Sequence, residues 1–447
     1  MRAMGFFEDA VIEYFFKELY WWPIVLRETA IDILFILYVI SSAVLGVYAV
    51  FYISSFIEFL MNGSPRPRGY IRKMSPYGWP RVGIIVPVYN DYEVLSSLEA
   101  IMRIDYPYVI TIVVDDSTDS SLSHEISNIS VRSNGRILHL KREGRKGLKA
   151  GALNEAIEIL LEMYNVDYIL ILDADFEPPS DMVLKLVELA FDEEADIVQG
   201  YQRHVKGSNT LFGLLYRASM AGAIINIVGR YWLRLFPFFT GSCGLISRRV
   251  LEAVRFREGS LSEDFRLTID AALSIPNLKV IASHEAYANG SVPRTQRAFW
   301  RQQIRWSVGT LDEFFKTFVD AVSSENLTFT EKIGYILQGL FFTNGLWVYV
   351  NTIVPLILAL AGYGRLELVW PIGVYLWLIG IETLVVAGCI LEKCGYMNSV
   401  VVAGYMILMI YYTALIHAIG TLKYLITRRA VWHVTSKRGK YERFYSD

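Results

Sequence analysis

Tyr168-Ile-Leu-Ile-Leu172, followed at once by Asp173-Ala-Asp175, is the stretch whose reading decides the fold. An unbroken apolar run of this length, with polar residues at its end, predicts a strand buried on both faces of a parallel sheet. Two carboxylates at the end of a buried strand are costly to hold without a cation. In open α/β sheets the carboxyl ends of the strands are where ligands bind. An acidic pair there can hold a hard divalent cation through oxygen and leave other positions for phosphate oxygens. The first expectation is a metal–diphosphate site. Acids at a strand end also cap helices, so the weight of this reading rests on what surrounds it.

Outward from that strand, Val82-Gly-Ile-Ile-Val-Pro87, Ile110-Thr-Ile-Val-Val114 and Ile197-Val-Gln199 are short β-branched runs that alternate with helical patterns. Over residues 78–320 the alternation predicts a mostly parallel α/β sheet. The composition, 53% hydrophobic and 20% charged over 447 residues, is too apolar for an ordinary soluble enzyme and predicts a membrane protein with a large soluble part. A net charge of −2 gives no reason to expect nucleic acid as a partner. Cys243, Cys389 and Cys394 form neither a disulfide framework nor a zinc spacing, and the six histidines are scattered. No cleavable signal peptide is read, because the first long apolar run begins near Ile31 and is too long for one.

Residues 31–60 are long and apolar enough to span a bilayer. Residues 1–30, with Phe6, Phe7, Trp21 and Trp22 among acids, suit the membrane interface. Arg66, Arg68, Arg72, Lys73 and Arg81 follow the span, which predicts a cytoplasmic location for the soluble region. Three further apolar segments lie at 333–361, 366–391 and 398–427, the second interrupted by Glu382. The tail, 428–447, carries Arg428, Arg429, Lys437, Arg438, Lys440 and Arg443 and again reads as cytoplasmic. Three crossings from a cytoplasmic domain would strand that tail outside. Either one C-terminal segment lies along the interface or re-enters, or the first is two short passes.

Five places in the soluble region carry chemistry. Asp115-Asp116-Ser117 ends a strand and can accept hydrogen bonds from a nucleoside. Arg142-Glu-Gly-Arg-Lys-Gly-Leu-Lys149-Ala-Gly151 is basic, glycine-rich and runs into a helix at 152–164, which suits a diphosphate. It lacks the G-x-x-x-x-G-K-[ST] pattern of a P-loop. Asp173 and Asp175 are the metal candidates. Thr240-Gly-Ser-Cys-Gly244 allows close backbone approach to a ligand, and Glu263-Asp264 offers a general base. Gln302-Gln303-Ile-Arg305-Trp306 offers a cation for a leaving diphosphate and a flat face for a sugar. Taken singly, each also reads as a loop cap, a solvated basic loop or an interfacial helix.

In this order and spacing the residues resemble the family 2 glycosyltransferases of GT-A fold, the group of cellulose, hyaluronan and mannan synthases. Lys149-Ala-Gly-Ala-Leu153, Asp173-Ala-Asp-Phe176, Val198-Gln199 and Gln302-Gln303-x-Arg305-Trp306 look most like the mannan-synthase branch. In the tail, Trp432-His-Val-Thr435-Ser-Lys437 is similar to the F-x-V-T-x-K gating loop of cellulose synthases, with Trp in place of Phe. The resemblance implies an α/β GT-A domain joined to transmembrane helices, with an interface helix around 296–320. It also implies a nucleotide-sugar donor, expected to be a UDP-sugar, at Asp115, Asp116, Lys149, Asp173, Gln302, Gln303, Arg305, Trp306, Thr435 and Lys437. Mg²⁺ or Mn²⁺ would sit at Asp173 and Asp175, and Asp264, Glu263 and Arg305 would be catalytic. Asp264 would deprotonate the acceptor hydroxyl, with inversion at the anomeric carbon.

The leading expectation is an inverting, multi-pass membrane enzyme that extends a β-linked polysaccharide. The alternative is transfer of one sugar to a ceramide- or polyprenyl-type lipid. A transporter or binding module without catalysis has no use for a metal–diphosphate site or a base.

Overall fold

The computed structural model describes residues 2–73, 78–362 and 371–427, with side chains from residue 27 onward except Arg72. Helix α1 (Arg2–Asn62) and the short α2 (Tyr70–Lys73) lead into the α/β domain. There β1 (Val82–Val88), α3 (Val94–Met102), β2 (Val109–Asp115), α4 (Ser120–Arg132), β3 (Ile137–Lys141), α5 (Leu148–Glu162), β4 (Tyr168–Ile171) and α6 (Met182–Asp192) alternate. After β5 (Ile197–Lys206) come α7 (Leu211–Trp232), β6 (Gly244–Ser247), α8 (Arg248–Ala253), α9 (Glu263–Ser274) and β7 (Val280–Ser291). The helical part is α10 (Gln296–Ser323), α11 (Phe329–Gly339), α12 (Asn344–Leu360), α13 (Ile372–Leu391) and α14 (Tyr396–Thr427).

The seven strands form one sheet, β3-β2-β1-β4-β6-β5-β7. All pairings are parallel except those of β6, which runs antiparallel to both β4 and β5. Both faces are covered, so alternate residues of one strand enter different cores. Leu170 joins the cluster under α3, α4 and α6, whereas Ile169 and Ile171 join the cluster beneath α5 and α9. This is why the run from Tyr168 reads as continuously apolar rather than alternating.

Five helical segments are long and apolar enough to cross a membrane: Arg27–Asn62, Leu211–Trp232, Phe341–Leu360, Ile372–Leu391 and Tyr396–Thr427. The second of these, α7, lies inside what the sequence presents as a soluble domain. It leaves from β5 and returns to β6, and those strands pair with each other (Gln199↔Gly244). Near its start Arg217 meets Glu392 just after α13, and at its end Trp232 Nε1 donates to Gly63 O just after α1, so both ends lie on the domain side of the bundle. The helix packs on α13 with little room, since a Cβ on Gly388 would stand 2.4 Å from the backbone N of Gly222.

The directions of the others follow from their contacts with α1. Along α12 the partners on α1 move backward: Tyr48 Oη donates to Leu337 O just before the helix, Asn351 Nδ2 to Ser41 Oγ, and Arg27 Nη2 to Ala361 O just after it. Along α13 they move forward, from Ser42 beside Gly373 to Ala49 beside Gly380. So α12 leads away from the α/β domain and α13 returns to it. Helix α14 starts beside the end of α13 (Ser399 Oγ to Cys389 Sγ, 3.7 Å) and nears its end beside the start of α12 (Thr421 Oγ1 to Phe342 O, 3.3 Å). Both ends of α14 thus lie toward the domain, and its C-terminal half runs along α10, with Tyr412 against Trp300 and Tyr424 against Phe315. The turn between α13 and α14 is tied to the sheet by buried Glu392, which accepts from Arg203 Nε of β5 (2.9 Å) and Arg217 Nε of α7 (2.8 Å).

Candidate active site

Every strand end that the sequence singled out opens on one cavity of about 740 Å³. The backbone N–H of Asp173 donates to Ser242 Oγ (2.9 Å), which joins the acidic pair to the 240–244 segment. Gln199 and Gln202 of β5 hold that segment in turn. Thr240 N–H donates to Gln199 Oε1 (2.8 Å), and both glutamine amides donate to Ser242 O (2.9 Å each). Gly241 has φ +87°, and a Cβ there would lie 2.9 Å from Asp264 Oδ2. The glycine is needed to make room for the candidate base as well as for any ligand.

Glu263 and Asp264 occupy the first turn of α9. Asp264 faces the cavity; burial, then the adjoining Glu263 carboxylate, raises its carboxyl to about 6. A carboxylate poised there is an effective base near neutral pH. Lys149, at the start of α5, reaches across to Asp173 Oδ1 (2.8 Å), Glu263 Oε1 (3.2 Å) and Gly241 O (3.1 Å). Burial alone would favour its neutral form, but Asp173 and Glu263 keep the ammonium charged. It links the acidic pair to the base turn.

The two acids at 115–116 separate in role. Asp115 is fully buried and accepts from Ser123 Oγ, Ser117 N–H (2.8 Å) and the His139 ring (3.1 Å). Burial would raise its carboxyl, yet these bonds hold it well below the usual carboxylate range. It secures the strand end from behind, and only Asp116 lines the cavity. Burial lifts the Asp116 carboxyl, with Arg142 (Nη1 at 3.3 Å) opposing that effect. Arg145 stands 3.5 Å over the Tyr89 ring beside it, and both line the cavity. Arg145 belongs to the basic loop singled out in the sequence, whereas Tyr89 was not singled out; Tyr89-Asn90 at the end of β1 was the available signal.

Gln302, Gln303, Arg305 and Trp306 all face the cavity from α10. Tyr216 Oη of α7 donates to Gln302 Oε1 (3.2 Å), and the His417 ring of α14 bonds Gln303 Oε1 (2.9 Å). Tyr216 itself is wedged edge-on between His204 and Phe299, and His204 meets Phe176 edge-on, next to Asp175. This aromatic chain connects the acidic strand end to the helix carrying Gln302. Sequence reading missed Tyr216 and His204 because they belong to no local motif. Thr435 and Lys437, with the rest of the tail motif, lie outside the described residues.

Asp173 and Asp175 offer two hard oxygen donors at the cavity wall. Among the described residues no third His, Cys, Asp or Glu joins them in a closed metal cage. That donor set fits Mg²⁺ or Mn²⁺, which share their coordination with phosphate oxygens and water, and does not fit a structural zinc ion.

A family model described as "Glycosyl transferase family group 2" matches residues 168–419. The chain is 27% identical over 286 residues to "Probable glucomannan 4-beta-mannosyltransferase 10" of Arabidopsis thaliana, covering 62% of this chain and 51% of that protein. It is 28% identical over 286 residues to "Probable glucomannan 4-beta-mannosyltransferase 9" of Oryza sativa subsp. japonica, covering 62% and 53%. The chain spans about half the length of the curated relatives it matches. Among solved structures, the mannosyltransferase PcManGT from Pyrobaculum calidifontis, in complex with GDP-Man and Mn²⁺, aligns with a TM-score of 0.53 at 18% identity, over 85% of this chain and 99% of that one. At that identity the likeness is one of fold.

Proposed function

The chain belongs to glycosyl transferase family group 2, and from that premise we propose that it is a membrane-integrated, inverting enzyme that moves mannose from a nucleotide-diphosphate donor to a growing β-linked glycan. One observation carries the reading: a single cavity joins Asp116 and Arg145, the Asp173–Asp175 pair, Asp264 and the Gln302–Trp306 helix. The mannosyl part is supported by the relatives' sugar, and it favours GDP-mannose over the UDP-sugar expected from sequence.

In this reading the Tyr89–Arg145 pair and Asp116 receive the nucleoside. Lys149 and Arg305 place positive charge along the diphosphate. Asp173 and Asp175 would hold the divalent cation, which when bound neutralises the leaving diphosphate. Asp264 takes the proton from the acceptor hydroxyl as that oxygen attacks the anomeric carbon from the face opposite the diphosphate. Gln302, oriented by Tyr216, and Trp306 shape the acceptor side.

The basic residues after α1 support a cytoplasmic α/β domain. The return of both α7 and α14 to the domain side supports a count in which α1, α12 and α13 cross. Three crossings with α14 along the interface would leave Thr427, the end of α14, on the side of the donor site, an arrangement free of the parity conflict in the sequence. The apolar inner wall of the cavity, with Ile381, Leu384 and Met406, favours the lipid acceptor as a second reading.

Product size separates the two. The protein in lipid, with Mg²⁺ or Mn²⁺ and radiolabelled GDP-mannose or UDP-sugars, is expected to give a ladder or high-mass polymer from GDP-mannose. A single lipid-soluble product would establish the second reading. No product from any donor, with unchanged donor and no nucleotide released, would count against both.

A further inference from the structure

The turn that leads into α5 is strained. Gly144, Arg145, Gly147 and Leu148 have φ of +76°, +48°, +70° and +53°. Glycine adopts such values freely, whereas Arg145 and Leu148 stay there only because their surroundings hold them. The turn matters because it spaces two cations of the cavity. Arg145 leaves it toward the Tyr89 ring, 3.5 Å away, and Lys149 follows it toward Asp173 (2.8 Å) and Glu263 (3.2 Å).

The residue that holds the turn is Arg142, which is 8% exposed and stands behind the cavity wall rather than in it. Its backbone N–H donates to Asp115 O (3.0 Å), which fixes it to the sheet just past β3. Nη2 donates to Lys146 O and Nη1 to Leu148 O (3.5 Å), so two carbonyls of the turn converge on one guanidinium. Nη1 also meets Asp116 Oδ2 (3.3 Å), and Nε meets Glu155 Oε2 of α5 (3.0 Å). A planar fork of donors can serve strand end, turn and helix at once, which the single ammonium of a lysine cannot. Gly151 leaves the room for this. A Cβ there would run into Lys146 O and stand 3.3 Å from Arg142 Nη2.

We propose that Arg142 is a positioning residue for the nucleotide donor. It braces the strained turn so that Arg145 and Lys149 stand at a fixed separation, one for the nucleoside and the other for the diphosphate. This rests on the glycosyl-transfer reading and deepens its account of the donor. Arg142 acts without touching the nucleotide. A turn that is already set need not be ordered when the donor binds, so loss of the brace falls on donor affinity and spares the acceptor.

The test uses the full chain in nanodiscs with Mn²⁺. Free GDP and free UDP are titrated directly as probes, and acceptor KM is measured with soluble β-linked manno-oligosaccharides. Arg142→Lys keeps the charge and loses the fork. Gly151→Ala keeps Arg142 with both of its acids and displaces Lys146 O from it. Alanine suits a helix better than glycine, so this second variant is expected to fold. Each is expected to bind the nucleoside diphosphate that the wild type prefers roughly tenfold more weakly, with acceptor KM unchanged. Wild-type nucleotide affinity in Gly151→Ala would overturn the brace, because the guanidinium would then serve its ion pairs alone. So would an acceptor KM that rises as much as the nucleotide affinity falls, since the damage would then be to the whole site. A wild type that binds neither GDP nor UDP would remove the nucleotide-donor reading and the brace with it.

Discussion

At the scale of single residues, Asp264 carries the sharpest expectation. Its base form is the carboxylate, and its carboxyl is raised to about 6. Activity should therefore be full above that pH and fall about tenfold per unit below it, as the group protonates. A kcat/KM profile flat from pH 5 to 8 would assign the base elsewhere. Asp264→Asn keeps the shape and removes the base, and turnover is expected to drop by about 10²–10⁴-fold. Asp175→Ala should abolish the response to Mg²⁺ or Mn²⁺; full activity of that variant in the presence of a chelator would take the metal out of the account. Tyr216→Phe deletes one hydroxyl and with it the bond to Gln302. An expected loss of about tenfold in kcat/KM, with donor affinity kept, would mark Tyr216 as a positioning residue. Equal kinetics for Tyr216→Phe and wild type would mean that Gln302 is oriented by something else.

At the scale of elements, what could be read in the sequence was what leaves a local pattern. The run from Tyr168 announced β4 because both faces of the sheet are buried, and its acidic end announced the site. Asp173, Asp175, Glu263, Asp264 and the Gln302–Trp306 box converge on one cavity as their order suggested. β7 escaped because Val280-Ile-Ala-Ser-His-Glu-Ala-Tyr is small and polar rather than β-branched. α7 escaped because it meets α1, α13 and β5 on different sides, so its buried residues leave no single stripe, and Arg217 and Arg230 break its apolar character. Asp115 could not be told from Asp116 by sequence, since which of two adjacent carboxylates faces inward is decided by His139 and Ser123. The tie at Glu392 is equally silent in one dimension. Glu392→Ala would leave Arg203 and Arg217 without their buried acid, and a loss of about 1–3 kcal/mol is expected after allowing for the partial exposure of both arginines. Thermal unfolding in detergent would report it, and an unchanged Tm would mean that the α13–α14 turn is held by apolar packing alone.

At the scale of the whole molecule, the α/β domain and the helical bundle share their central parts. The candidate acceptor wall is assembled from α7, α10 and α14, one from within the sheet's own connectivity and two from after it. A change of spacing between bundle and sheet would therefore move Gln302 and Gln303 relative to Asp264. The pairing of Gly222 with Gly388 fixes that spacing, because a side chain on either would meet backbone of the other helix. Gly388→Leu is expected to abolish activity and lower detergent-solubilised yield, whereas Gly404→Leu, where a Cβ meets nothing within 4 Å, should be tolerated. The same feature bears on how the protein can be handled at the bench. A recombinant fragment of about residues 78–320, the natural choice for anyone wanting a water-soluble catalytic piece to crystallise, would carry α7 without α1 and α13. The Ala218, Gly222 and Ile225 side of that helix, now buried, would become a bare greasy ridge on an otherwise hydrophilic particle. Such a fragment should precipitate on expression, and workable samples will need the bundle kept whole.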